Sequence, residues 1–244
     1  LAEIKAENER ISVIRKKHPQ ISQIVGTEKR IGALKAVPKH YEQLAPYAWG
    51  RVMQRYIAES NAKMAKYYLD KIKTYPLDQS HKDLLQWAYD ELLENQNKPL
   101  PAPASLENVE AGTADEFLQK LTEKHKHKVI YLDIWATWCS PCRSQFEYAS
   151  NIKAANKDKD VVFVYLCVSG EKSNWKNLIK KYQLDGDHYF LDKSVYQSLD
   201  HKFNIAGYPT YMILNKEGRL VERKAPWPND TENLNSKLAK YAAQ

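Results

Sequence analysis

Val129–Arg143 reads V-I-Y-L-D-I-W-A-T-W-C-S-P-C-R, and its two halves obey different rules. Val129–Trp135 is an apolar run carrying one acid, Asp133. Its apolar residues point both ways, as in a strand of a sheet covered by helices on both faces. The run then gives way to Trp138-Cys139-Ser140-Pro141-Cys142, a C-x-x-C pair at a helix start. A dithiol so placed is built for redox chemistry. Pro141 fits the first helical turn, where its missing N–H costs nothing. Cys139 thereby stands at the positive end of a helix, where the dipole and unpaired amides favour thiolate over thiol. Thiolate is the nucleophile of disulfide exchange. The spacing therefore predicts Cys139 as the exposed, attacking sulfur and Cys142, one turn further in, as the sulfur that resolves the mixed disulfide. The Cys139–Cys142 disulfide would itself carry the electrons, with no separate cofactor.

Working outward, Asp133 lies six residues before Cys139, and Ile205-Ala206-Gly207-Tyr208-Pro209-Thr210 precedes a second strand-like run, Tyr211–Leu214. W-A-T-W-C-S-P-C-R at 135–143, the upstream acid and the downstream proline loop, in that order, resemble the thioredoxin superfamily. The resemblance implies an α/β, thioredoxin-like fold, a central mixed sheet with helices on both faces. It also implies that Pro209 is cis and that Tyr208 offers its backbone to an extended substrate segment. Trp138, Ser140 and Pro141 would complete the substrate-binding surface, Trp138 covering the dithiol while Trp135 belongs to the core. Asp133, mid-strand among apolar residues, should be desolvated, its pKa raised, and suited to pass a proton to or from Cys142. A solvent-facing acid on an edge strand is the competing reading.

Extra structure between Val168 and Phe203 is similar to the TlpA/ResA-like branch, whose members are tethered or secreted outside the cytoplasmic membrane. The resemblance covers about residues 99–244. It implies a periplasmic or cell-envelope protein, protein disulfides as substrates, an upstream membrane thiol donor, and a membrane tether beyond this chain. One departure stands out. The branch usually has Glu three and Pro five residues after the second cysteine, where this chain has Gln145 and Glu147. A kink is therefore not expected in that helix, and no acid role carries over to Gln145.

The chain divides at Asn97–Ser105, N-K-P-L-P-A-P-A-S, an extended linker or lead-in strand. Residues 1–98 read as an all-α domain of unknown role and 99–244 as the redox domain. In the first part, helices are expected over Ala2–Lys17 and Tyr47–Lys73. A third is capped by Ser80 and Asp83, with Leu84, Leu85, Ala88 and Leu92 on one face. In the second, Thr113 and Glu116 form a capping box for a helix burying Phe117, Leu118 and Leu121. Strands are expected at Val129–Trp135, Val161–Val168 and His188–Leu191, with a helix from Pro141 to about Asn156. Ser173 is the expected cap of a helix carrying Trp175, Leu178, Ile179 and Tyr182. A helical turn or two at Val195–Phe203, a hairpin of Tyr211–Leu214 and Arg219–Glu222, and a last helix through Leu234, Leu238 and Tyr241 complete the reading.

The chain has 244 residues, a net charge of +7 and three cysteines. Its basic residues are spread among many acids, so a solvated lysine-rich surface explains the charge and no nucleic-acid partner is expected. No apolar run approaches the roughly 18–20 residues a membrane helix needs. Leu1 in place of methionine leaves room for a targeting segment upstream. One C-x-x-C pair cannot close a tetrahedral zinc site, and His125 and His127 in K-H-K-H-K read as a solvated connector, so no metal is expected. Cys167, within V-V-F-V-Y-L-C-V, reads as an inert core thiol. Two other functions use the same residues differently. The pair could oxidise or isomerise disulfides, which only a reduction potential separates from reducing them; the uncharged Ser140-Pro141 insert points to a reducing to intermediate value. Alternatively the helical half could dock a partner through a groove of Tyr41, Tyr47, Trp49, Tyr67, Tyr68 and Trp87.

Overall fold

A computed structural model describes residues 45–110 and 112–244. The helix expected over Ala2–Lys17, and Tyr41 of the aromatic set, lie outside the described residues. The chain separates into two compact units, Leu1–Leu92 and Leu93–Gln244, a division slightly ahead of the proline-rich stretch. No helix among the described residues is long and apolar enough to cross a membrane.

In the first unit, α1 (Ala45–Ala58) and α2 (Ala62–Lys73) replace the single helix expected over Tyr47–Lys73. Ser60 adopts a left-handed φ of 54°, which ends the first run. Asn61 then restarts it, its side chain accepting from the Met64 N–H at 3.1 Å. The next helix, α3 (Gln79–Asn97), is capped by Asp78, whose Oδ1 accepts from the His81 N–H at 2.9 Å, and not by Ser80. Leu85 and Leu92, two turns apart, are buried, while Leu84 falls off that stripe and is 39% exposed. The expected aromatic groove splits in two. Trp49 and Tyr68 are core, with Trp49 edge-on to Tyr75 and Tyr56 stacked on Tyr68, whereas Tyr67 and Trp87 face solvent.

The second unit is built on six strands: β1 (Ala104–Val109), β2 (Val129–Trp135), β3 (Val161–Cys167), β4 (Gly186–Leu191), β5 (Thr210–Leu214) and β6 (Leu220–Glu222). Their order is β1-β4-β3-β2-β5-β6. The first four run parallel; β5 is antiparallel to β2, and β6 to β5. The interleaved helices are α4 (Ala114–Lys124), α5 (Ser140–Gln145), α6 (Ala149–Ala155), α7 (Lys172–Tyr182), α8 (Lys193–Phe203) and α9 (Thr231–Ala242). One sheet face packs Ile130, Leu132 and Ile134 against Phe117 and Leu121 of α4 and Val195, Leu199 and Phe203 of α8. The other packs Tyr131, Trp135 and Tyr211 against Phe146, Ile152, Trp175, Leu178, Leu234 and Leu238. This is the thioredoxin-like arrangement, a mixed sheet between helical layers, preceded by a helical region.

Three local expectations change. The helix expected from Pro141 to Asn156 is interrupted by a 3₁₀ turn at Phe146–Tyr148. Ser173 lies inside α7 and makes no cap; Glu171 precedes the helix, also without a side-chain cap bond. His125 is not a solvated connector, because Asp187 at the start of β4 lies 2.7 Å from its Nε2.

Candidate functional site

The sheet aims the dithiol. β2 is interior, flanked by β3 and β5, and all seven of its residues are buried. Where it ends, Thr137–Cys139 turns into α5. The Thr137 N–H donates to the Ser169 carbonyl at 3.1 Å, tying this turn to the end of β3. The loop beyond β3 closes on Thr137 through Gly170 (φ 127°), where any Cβ would overlap the Thr137 side chain.

Cys139 is the N-cap of α5, Pro141 stands in its first turn, and Cys139 and Cys142 are joined in a disulfide with Cα atoms 5.3 Å apart. The Cys142 N–H donates to Cys139 Sγ at 3.1 Å. That amide is one of the unpaired donors of the helix end, and it would stabilise negative charge on this sulfur once the disulfide opens. Cys139 is more sheltered than its position suggests. It is 3% exposed against 0% for Cys142, and it belongs to the buried cluster that also holds Trp135 and Phe146. Arg143 Nη1 donates to the Thr137 carbonyl at 2.6 Å, bracing the turn from inside the helix.

Around the sulfurs, Trp138 is 47% exposed, Ser140 and Pro141 face solvent, and Tyr208 and Pro209 are half-buried. The Tyr208–Pro209 peptide is cis. Trp138 donates from Nε1 to Ser169 Oγ at 3.2 Å and meets the Tyr208 ring edge-on at 5.7 Å. The dithiol turn and the proline loop, far apart in sequence, thus share one rim. Trp135 is fully buried.

Asp133 is 3% exposed on the interior strand, which excludes a solvent-facing acid. Burial pushes its carboxyl well above the ordinary carboxylate range, and the field of Lys153 pulls the other way. No hydrogen bond joins it to Cys142, and its Oδ1 has no hydrogen-bond partner among the described residues. Strand alternation puts it on the same sheet face as Trp135, the face covered by α5 and α6. Cys167 is fully buried, and burial drives its thiol far above the ordinary value, so it stays protonated. Gln145 is buried as well; its Oε1 accepts from the Asn229 N–H at 3.0 Å, a structural bond.

Two features of this region escaped the sequence reading. Gly170 carried no local signal, since only the approach of Thr137 explains it. Lys153 reads as a surface lysine of an amphipathic helix, yet it reaches the Asp185 carboxylate and carbonyl near the strand bottoms.

Residues 126–220 match the family described as thioredoxin-like. Among curated relatives, the chain is 28% identical over 98 residues to the thiol-disulfide oxidoreductase ResA of Bacillus cereus, covering 40% of this chain and 55% of that protein. It is 30% identical over 103 residues to ResA of Bacillus subtilis, covering 40% and 52%. The chain thus spans about half the length of the curated relatives it matches. Among solved structures, it is similar to the thioredoxin domain of a thiol-disulfide oxidoreductase from Bacteroides vulgatus, at 22% identity and a TM-score of 0.44, covering 49% of this chain and 83% of that one. A thiol:disulfide interchange protein DsbE from Chlorobium tepidum aligns at 21% identity and a TM-score of 0.43, covering 49% and 84%.

Proposed function

We propose that this chain, whose residues 126–220 are thioredoxin-like, is a thiol-disulfide oxidoreductase that reduces protein disulfides through Cys139 and Cys142. The observation that carries the reading is a closed Cys139–Cys142 pair capping a helix, on the same sheet face as a buried acid.

In the reduced enzyme the Cys139 thiolate attacks one sulfur of the substrate disulfide. A mixed disulfide forms, and the first substrate sulfur leaves as a thiolate. Cys142 gives its proton to the Asp133 carboxylate, directly or through water, and attacks Cys139 Sγ. That closes the internal disulfide and expels the second substrate thiolate. Two electrons have passed to the substrate. A donor dithiol then attacks the Cys139–Cys142 bond, and the emerging Cys142 thiolate recovers the proton from Asp133. An acid whose neutral form is favoured by burial suits this two-way role. The exposed rim of Trp138, Ser140, Pro141, Tyr208 and Pro209 would receive an extended polypeptide, Tyr208 offering its backbone. As part of the same proposal, we place the reaction in the bacterial periplasm or cell envelope, with electrons supplied by a membrane thiol donor.

Substituting Cys139→Ser should abolish reduction of insulin disulfides by the prereduced protein; retained turnover would end this reading. Equilibration of the pair against glutathione should give a reducing to intermediate potential.

A further inference from the structure

The K-H-K-H-K run, Lys124–Lys128, leads from α4 into β2 and contributes His125 and Lys128 to the lining of a cleft of about 730 Å³. The chain turns at His127 (φ 62°), and the Lys128 N–H donates to the His125 carbonyl at 3.1 Å. Lys153 of α6 and Lys157 just beyond it add two more cations. Val161, Val162 and Phe163, all half-buried at the start of β3, supply an apolar strip. Ala104 and Gly186, at the starts of β1 and β4, lie in the same lining. The cleft thus opens at the N-terminal ends of the parallel strands, whereas the dithiol follows the C-terminal end of β2. Its volume falls within the roughly 300–1,000 Å³ typical of small-molecule sites.

The acids and bases of this lining are not evenly matched. Asp187 is engaged: Ser105 Oγ donates to it, His125 Nε2 lies 2.7 Å from it and Lys124 Nζ 3.2 Å. Asp185 is engaged by the Lys153 ammonium. Lys128 and Lys157 are exposed, and their side chains make neither ion pair nor hydrogen bond among the described residues. Both acids are therefore offset from within the fold, and two cations are left over beside the apolar strip. Such a strip gains by shedding water onto an apolar body, and free ammonium groups next to it favour negative charge on the same ligand. A bare anion would meet only hydrated, flexible lysines, and a neutral apolar molecule would leave their charge unused.

We infer that this cleft is a binding site for a small amphipathic organic anion, its apolar part against Val161–Phe163 and its carboxylate met by Lys128 and Lys157. The site lies at the other end of the parallel strands from the dithiol and takes no part in the exchange reaction.

The test titrates octanoate into the ¹⁵N-labelled, oxidised full chain at low salt and follows the amides of Ala104, Ser105, Val161–Phe163 and Gly186 by NMR. These should shift together and saturate, with a Kd of about 1 mM or below. Lys128→Glu with Lys157→Glu should weaken binding about tenfold or more. Lys176→Glu with Lys193→Glu makes the same change in net charge at exposed lysines outside the cleft, and should leave binding within about twofold. Octanol and acetate, each carrying half of the chemistry, should shift these amides far less at equal concentration. Shifts that do not saturate, or that map to the dithiol rim, overturn the inference. Equal losses in the two double variants overturn it as well, since they would mean general charge attraction. So would hexaglutamate shifting these amides as strongly as octanoate, which would mean a docking face for acidic polypeptide. Should charge reversal prevent folding, Lys128→Gln with Lys157→Gln makes the same comparison, and unchanged octanoate binding there overturns the inference. None of these measurements involves turnover, so they decide the cleft without deciding the exchange reaction.

Discussion

A carboxyl sealed into a sheet responds to pH in a direction that its burial dictates. Asp133 holds its proton in the fold to a pH well above that of an unfolded aspartate. Its contribution to stability is therefore fully present below the unfolded value near 3.8 and is lost as pH rises through the folded value. Asp133→Asn, which keeps the shape and cannot ionise, should unfold at higher denaturant than the parent at pH 8, by at least about 1 kcal/mol. The difference should shrink toward pH 4; urea titrations at both pH values check it, and a pH-independent difference would contradict the assignment. His188 has the opposite sign. Burial lowers it from 6.5 to about 4, so its neutral form stabilises the fold fully above pH 6.5. That stability drains away as pH falls and levels off below about 4, a loss on the order of 3 kcal/mol. His188→Phe keeps a ring on Tyr165 and gives up the bond to the Leu184 carbonyl. It should be less stable at pH 7 but show a flatter stability profile between pH 6.5 and 4.

Elements in this fold are held in register by their turns, and the turn before the dithiol depends on one after β3. Gly170→Ala would force a β-carbon into Thr137 at a φ of 127° that side chains rarely adopt. The expected cost is about 3 kcal/mol, with slower exchange because Thr137 leads into Cys139. Chemical denaturation and initial exchange rates measure both; an unperturbed variant would show that the turn relaxes freely. This dependence marks where sequence reading stops. β2 was legible to its last residue, since an apolar run followed by C-x-x-C is a local pattern. So was the capping box of α4, with Glu116 N–H donating to Thr113 Oγ1 at 3.3 Å and Thr113 N–H to Glu116 Oε2 at 2.7 Å. The cysteine pair and the mid-strand Asp133 were legible for the same reason, whereas the cis Pro209 was legible only through the family resemblance. The break at Ser60 was not, because helical spacing of apolar residues continues across it. Neither was Lys153, whose partner Asp185 is 32 residues away. The shelter of Cys139 also follows from packing that no motif encodes.

At the scale of the whole molecule, the question is whether the helical unit is needed for the chemistry. Each unit carries its own core. Trp49, Met53, Tyr56, Leu69, Ile72, Leu85 and Leu92 form one cluster in the first, and the clusters flanking the sheet draw only on the second. Every residue assigned to exchange, from Asp133 to Pro209, lies within Leu93–Gln244, as does every bond that shapes the dithiol turn. A unit with its own core and its own site is the physical definition of a domain able to fold and act alone. A chain shortened to Leu93–Gln244 should therefore unfold cooperatively and reduce insulin disulfides within about twofold of the full-length rate, a difference worth less than 0.5 kcal/mol in the barrier. Parallel rate measurements with insulin on both chains decide the point. A loss of tenfold or more in the shortened chain, with its unfolding transition intact, would mean that the helical unit takes part in exchange itself.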